Sequence, residues 1–277
     1  MKVTFWGTRG STPSPGADFL RYGGHTSSVA LAHDGEPPSL VLDGGTGIRK
    51  VSEQLAGEAF RGAILLSHLH WDHVHGLPFF SAGMAPAHRV RVLLPAPGAD
   101  PLETLARGFS PPHFPIAPGQ LGPGWSFDRL EEGVIEIEGF RILARELPHR
   151  GGQTFGFRVS AGTASLAYLT DHSPTDFGPG PGGYGALHDA ALELAAGVDL
   201  LVHDAQFVAA EFPDVAYLGH ASAEYAVALA EAAQVRSLLL YHHSPTRTDE
   251  EIDAIVKALS DRPTPLDAAR EGQTVEL

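Results

Sequence analysis

A chain of 277 residues can bury a large core, and nothing in its composition marks a boundary, so one domain over residues 1-277 is expected. The formal charge of -14, from 19 basic and 33 acidic residues, disfavours a broad basic footprint for extended nucleic acid. With no cysteine, disulfides and thiolate metal sites are excluded, and 15 histidines against 2 methionines hint at metal chemistry through imidazole and carboxylate. The first residues lack a signal-like apolar region, and no apolar run approaches the roughly 20 residues that span a bilayer, so a cytoplasmic protein is expected.

In chain order, residues 2–6 read as an opening strand, followed by the loop 7–13, whose glycines lack the lysine and spacing of a phosphate-binding loop. Strands are expected over 29–33 and 40–42, the second ending in Asp43, a candidate N-cap for a helix over 48–55. Residues 63–66 form a further apolar run and lead into Ser67-His68-Leu69-His70-Trp71-Asp72-His73-Val74-His75-Gly76. On extended chain His68 and His70 share a face, whereas a helix would splay them by roughly 200°. Asp72 and His73 then fall where the chain turns into a helix. Three imidazoles and a carboxylate within six residues exceed what one tetrahedral zinc normally draws from a single loop. The cluster suits two metal ions about 3.5–4 Å apart, sharing a water and a distant carboxylate.

A strand is expected over 89–94 and a helix over 100–108. The proline- and glycine-rich piece from 109 to 125 is too apolar for an ordinary solvated loop, and His113 and Phe114 are candidates to touch substrate as a lid. Strands follow near 133–137, 140–147, 154–160 and 165–169. Asp171, at the end of the last of these, is the expected bridging carboxylate. A helix over 187–196, a strand over 199–202, a helix running to Ala233 with Ser222 as its N-cap, a strand over 237–241 and a helix over 249–259 complete the pattern.

The motif HLHWDHVHG resembles the HxHxDH signature of the metallo-β-lactamase superfamily, which implies an αββα four-layer sandwich in the α/β class with a two-metal site at one edge. The resemblance implies that Asp43 braces the histidine loop by hydrogen bonds, that the opening loop borders the cleft with Arg9 a candidate substrate contact, and that His149 is the next metal ligand. Neighbours in a strand face opposite ways, so only one of His242 and His243 can enter the site. The family's TH-x-SP pattern picks His242. Related sequences prefer Asn where His25 stands, and His25 is not counted as a ligand. The implied metal set is therefore His68, His70, Asp72, His73, His149, Asp171 and His242, holding two divalent ions. Zinc fits best in the absence of soft ligands, with manganese or iron as alternatives.

A water shared by two dications is strongly acidified, and Asp72 would orient it and take its proton. His203-Asp204-Ala205 with Gly219-His220-Ala221-Ser222 resembles a motif pair of the tRNase Z branch and related phosphodiesterases, in which an acidic residue orients a histidine that protonates the leaving oxygen or binds phosphate. Asp204 and His220 carry that role here. The long tRNA-gripping arm of tRNase Z has no counterpart between His149 and Asp171, which together with the charge points to a small or cyclic phosphodiester. In this the chain is similar to class II cyclic-nucleotide-phosphodiesterase-like proteins and to the cyclic phosphodiesterase of phosphonate breakdown. Readings set against this are a lactone or thioester hydrolase on the same metals, tRNA 3′ processing, and a metal-dependent sensor without catalysis. The sequence leaves a homodimer open.

Overall fold

The computed structural model describes residues 1–277. The first half of the chain runs β1 (Lys2–Gly7), β2 (Ser28–Ala32), β3 (Leu40–Leu42), α1 (Ile48–Gln54), β4 (Arg61–Leu65), α2 (Trp71–Val74), β5 (Arg89–Pro95), α3 (Pro101–Ala106) and β6 (Trp125–Leu130). The second half runs β7 (Gly133–Ile137), β8 (Phe140–Leu147), β9 (Thr154–Ala161), β10 (Ala164–Leu169), α4 (Asp189–Ala195), β11 (Leu200–Asp204), α5 (Phe212–Val215), α6 (Ala223–Ala232), β12 (Leu238–Tyr241), α7 (Asp249–Leu259), β13 (Leu266–Ala268) and β14 (Thr274–Glu276). Two seven-stranded sheets result, in the orders β14-β1-β2-β3-β4-β5-β6 and β13-β12-β11-β10-β9-β8-β7.

The apolar runs read as strands because both faces of each central strand are covered. In β4, Ala63 and Leu65 enter the core between the sheets, while Ile64 and the following Leu66 pack outward with Ile48 and Val51 of α1. In β10, Leu166 and Tyr168 face the first sheet, while Ala167 and Leu169 face Leu194 of α4 and Leu229 of α6. The layers are therefore helix, sheet, sheet, helix: the αββα sandwich that the motif implied. No helix is long and apolar enough to cross a membrane.

The central strands β3, β4 and β5 are mutually parallel, as are β10, β11 and β12. Parallel strands of an open α/β sheet deliver their carboxyl ends to one edge, where ligands bind. Asp43, the histidine loop, Asp171, Asp204 and His242 all stand at those ends. The last turn into the edge is tight: Asp43, Asp171 and His242 adopt left-handed backbone with φ of 62°, 51° and 58°. Non-glycine residues hold such angles only where the surroundings over-determine them, and they concentrate at functional sites.

Three short strands, β6, β13 and β14, were not expected from the sequence. Each is the outermost strand of its sheet. β13 and β14 span three residues apiece, too few for an alternating pattern to register. The piece 109–121 is irregular apart from a short 3-10 turn over Pro118–Gln120. It is packed rather than loose, since Phe109 and Leu121 are buried in the outer core with Phe114 and Ile116 against them.

Candidate metal centre

The seven expected ligands meet at the sheet edge. His68 and His70 lie on the extended segment just past β4, and Asp72 and His73 occupy the single turn of α2. His149 follows β8, Asp171 follows β10 and His242 follows β12. Two groups of donor atoms form around Asp171. Its Oδ1 lies 3.6 Å from His68 Nε2 and 3.5 Å from His149 Nε2, and His149 Nε2 is 3.2 Å from His70 Nδ1. Its Oδ2 lies 3.0 Å from His73 Nε2 and 3.1 Å from His242 Nε2, and Asp72 Oδ2 is 3.2 Å from each of those nitrogens. Bonds of about 2.0–2.2 Å to one tetrahedral cation place its donors roughly 3.3–3.6 Å apart, close to the spacings seen in both groups.

The electrostatics call for cations. Asp43, Asp72, Asp171 and Asp204 are all buried, and their ion-pair partners are imidazoles rather than lysine or arginine. Burial alone would raise the Asp171 carboxyl, but His242, His73 and His68 outweigh it and hold the group well below the usual carboxylate range. Burial, reinforced by His73, drives His68 well below the usual imidazole value, so it stays neutral with a free electron pair. Its Nε2 is buried and has no hydrogen-bond partner, as expected of a lone pair reserved for a metal. His73 goes the other way: burial opposes its charge, but Asp171, Asp72 and Asp43 overcome it and raise it well above its usual value. Without a metal, a proton on His73 supplies part of the missing positive charge.

Hydrogen bonds from outside the donor set fix the ligand orientations. Asp43 acts as the brace and not as a cap: α1 begins after Gly47 with no side-chain cap. Asp43 accepts from Ser67 N–H (2.7 Å) and Ser67 Oγ (2.9 Å), from His73 Nδ1 (2.8 Å) and from Tyr168 Oη (2.8 Å). An Asp43→Ala variant would leave several of these donors buried and unpaired, each costing about 1–3 kcal/mol, and would lower metal affinity roughly 10–100-fold. Thermal unfolding and metal titration read the two effects separately. An unchanged metal affinity would show that Asp43 orients nothing.

Asp204 and His220 also converge here. His220 Nδ1 donates to Asp204 Oδ2 at 3.1 Å and sits 3.7 Å from Asp171 Oδ1, with its ring stacked on His242 at 5.1 Å. Asp204 caps no helix. Its carboxylate also accepts from the backbone N–H groups of His172, Gln206 and Ala221. Burial would lower His220, but Asp204, then Asp171 and Asp72, push it up to about 9.

One expectation fails and another shifts in place. Arg9 is fully buried, and its guanidinium is spent on the carbonyls of Gly23, Ser244 and Arg247 and on Asp249 at 3.6 Å, so it welds loops together and does not face substrate. The opening loop reaches the site through Ser11 instead, whose backbone N–H donates to Asp72 Oδ2 at 2.7 Å. His113 and Phe114 line no part of the cleft at Asp72, Asp171 and His220; they wall an adjoining pocket. His243 bonds the Ala269 carbonyl and His25 bonds Thr46, and neither stands in the two donor groups.

Other contributors have no side-chain signature. The Gly219 carbonyl accepts from His149 Nδ1 at 2.7 Å and fixes Nε2 toward the centre. Gly151 lies over His70 with φ of 88°, where an added Cβ would come within 2.8 Å of Nε2. Behind the site, His188, His172 and His203 form a hydrogen-bonded series with spacings of 2.8 and 3.0 Å that ends on the Asp204 carbonyl. Histidines in three separate segments gave no sign of that series.

With this geometry in place, the similarities of the chain take on meaning. A family model described as a beta-lactamase superfamily domain matches residues 51–243. A ribonuclease Z from Bradyrhizobium diazoefficiens is 28% identical over 296 residues, covering 90% of this chain and 92% of that protein. Among solved structures, a diphosphatase of the PhnP family superposes with a TM-score of 0.71 at 21% identity, covering 100% of this chain and 97% of the other. The metallo-beta-lactamase fold protein YhfI from Bacillus subtilis gives a TM-score of 0.72 at 18% identity, covering 99% of both chains. The chain thus belongs to the metallo-β-lactamase superfamily.

Proposed function

We propose that the chain, acting as one catalytic unit over residues 1-277, hydrolyses a small or cyclic phosphodiester at a pair of divalent cations, with zinc the best match to an all-imidazole and carboxylate donor set. His68 Nε2, His70 Nδ1, His149 Nε2 and Asp171 Oδ1 would hold one ion, and Asp72 Oδ2, His73 Nε2, His242 Nε2 and Asp171 Oδ2 the other. When bound, the ions supply Lewis acidity toward a phosphoryl oxygen and lower the pKa of the attacking water. Asp72, steadied by the Ser11 N–H, orients that water and accepts its proton. His220, kept protonated by Asp204, gives a proton to the leaving oxygen.

The observation that carries the phosphodiester reading is the Asp204–His220 contact beside Asp171, because an alkoxide leaving group needs a proton donor placed there. The relative named ribonuclease Z and the structural neighbour named a diphosphatase both act on phosphorus–oxygen bonds, by their names. Two features favour a small substrate over RNA. The interval from His149 to Asp171 holds only the β9–β10 hairpin, and the net charge is -14.

The test is a panel on metal-loaded protein: bis-p-nitrophenyl phosphate, 2′,3′- and 3′,5′-cyclic nucleotides, a pre-tRNA, a lactone and a thioester. Turnover of the small phosphodiesters above the rest is expected. Lactone or thioester hydrolysis with inert phosphodiesters would overturn the reading, and preferred cleavage of pre-tRNA would overturn the small-substrate part of it.

A further inference from the structure

Next to the metal cleft lies a larger pocket of about 630 Å³, walled by Trp71, Phe79, Phe114, Arg49 and Arg107 among others. Its size falls within the range of small-molecule sites and exceeds what a phosphate alone would fill. Trp71 is 67% exposed and Phe79 56% exposed, large apolar surfaces to leave in water without an occupant. Both rings are held. Trp71 stacks on His75 at 5.2 Å and 21°, and Phe79 meets Phe114 edge-on at 5.8 Å, with Phe114 in turn edge-on to the buried Phe109.

The charge of the pocket runs against that of the molecule. In a chain of net charge -14, these walls carry Arg49 and Arg107 and no acidic residue. Other surface arginines, such as Arg91, Arg145 and Arg236, are each paired with a carboxylate. Arg49 and Arg107 have none and remain available to an anion or to acceptor atoms of a ligand. The pocket also shares walls with the metal site. Trp71 borders the cleft containing Asp72, Asp171 and His220, and Arg107 borders the smaller cavity containing His68 and His70. A group covalently attached to a phosphate at the metals therefore has flat aromatic walls and two guanidiniums within reach.

We propose that this pocket is a nucleobase subsite and that the phosphodiester cleaved is a small nucleotide, its base stacked on the Trp71–Phe79–Phe114 surface and its acceptor atoms or a further phosphate met by Arg49 and Arg107. A heterocycle has a π-face for the rings and acceptor edges for the guanidiniums, whereas an alkyl group would use only the rings and a bare anion only the arginines. The proposal rests on the phosphodiesterase reading and names its substrate class.

Two esters with the same leaving group test it: thymidine 5′-(p-nitrophenyl phosphate) and methyl p-nitrophenyl phosphate. The wild type is expected to favour the nucleotide ester, chiefly through KM. In Phe79→Ala and Arg107→Gln the ratio of kcat/KM for the nucleotide ester over the methyl ester should fall about tenfold. Independently of turnover, AMP should quench the tryptophan fluorescence of the wild type and leave Trp71→Phe unaffected, because Trp71 is the one of the three tryptophans that lines the pocket, while Trp6 and Trp125 do not. Turnover of both esters with an unchanged ratio in the variants and no quenching overturns the subsite while leaving the phosphodiesterase reading intact. Quenching with neither ester hydrolysed overturns the phosphodiesterase reading, and with it the assignment of the cleaved substrate.

Discussion

Replacing Asp171 with alanine is expected to cost the protein one of the two proposed metal ions and nearly all of its hydrolysis. Asp171 is the only residue whose two oxygens each face a different donor group, Oδ1 toward His68 and His149, Oδ2 toward His73 and His242. Without it the first group retains three imidazoles, enough for a single zinc with an open position. The second retains Asp72, His73 and His242 with no shared anion to hold two dications close together. The fall in turnover should exceed the roughly 10–100-fold that loss of an orienting partner costs. Elemental analysis of Asp171→Ala should find no more than one ion per chain, with near-UV circular dichroism reporting an intact fold. Two ions retained with full turnover would remove the bridging role.

His220→Ala separates proton donation from metal binding. Its ring touches Asp171 and Asp204, yet it belongs to neither group of four donors around Asp171, so the variant should keep both ions. On a substrate whose leaving group is a ribose hydroxyl, kcat should fall about 10²–10⁴-fold, the usual worth of a positioned general acid. On bis-p-nitrophenyl phosphate the loss should be small, because nitrophenolate departs without a proton. Equal losses on both would point to a structural or metal-holding role instead. The pH dependence has a definite sign. Asp204 works against burial to raise His220, so the acid form survives to higher pH than it otherwise would. In Asp204→Asn the largest upward push on His220 is lost, the folded-state pKa falls, and the alkaline limb of kcat on alkoxide leaving groups should move to lower pH. An unmoved limb would dissociate it from His220.

The sequence exposed most of the metal set because those ligands follow apolar strands. Ala63–Leu65 before His68, Leu166–Leu169 before Asp171 and Leu238–Tyr241 before His242 are buried on both faces, which makes their ends legible. His149, and the choice of His242 over His243, were legible only through the family pattern, since a lone histidine after a strand has many other uses. What could not be read falls into two kinds. Backbone groups carry no residue identity, so the Ser11 N–H on Asp72 and the Gly219 carbonyl on His149 were invisible. Long-range packing decides the rest. Arg9 looked like a free cation in a glycine-rich loop, yet the fold brings the Ser244–Asp249 turn over it. The 109–125 segment looked like a lid, whereas Phe109 and Leu121 anchor it as the wall of the neighbouring pocket.

The central claim is that one carboxylate and two sets of three side chains hold a pair of cations, and anomalous diffraction from zinc-loaded crystals tests it most directly. The expected map has two peaks about 3.5–4 Å apart on either side of Asp171, one about 2.0–2.2 Å from His68 Nε2, His70 Nδ1 and His149 Nε2, the other at that distance from Asp72 Oδ2, His73 Nε2 and His242 Nε2. A single peak, or metal bound away from Asp171 in protein that is fully active, would contradict it.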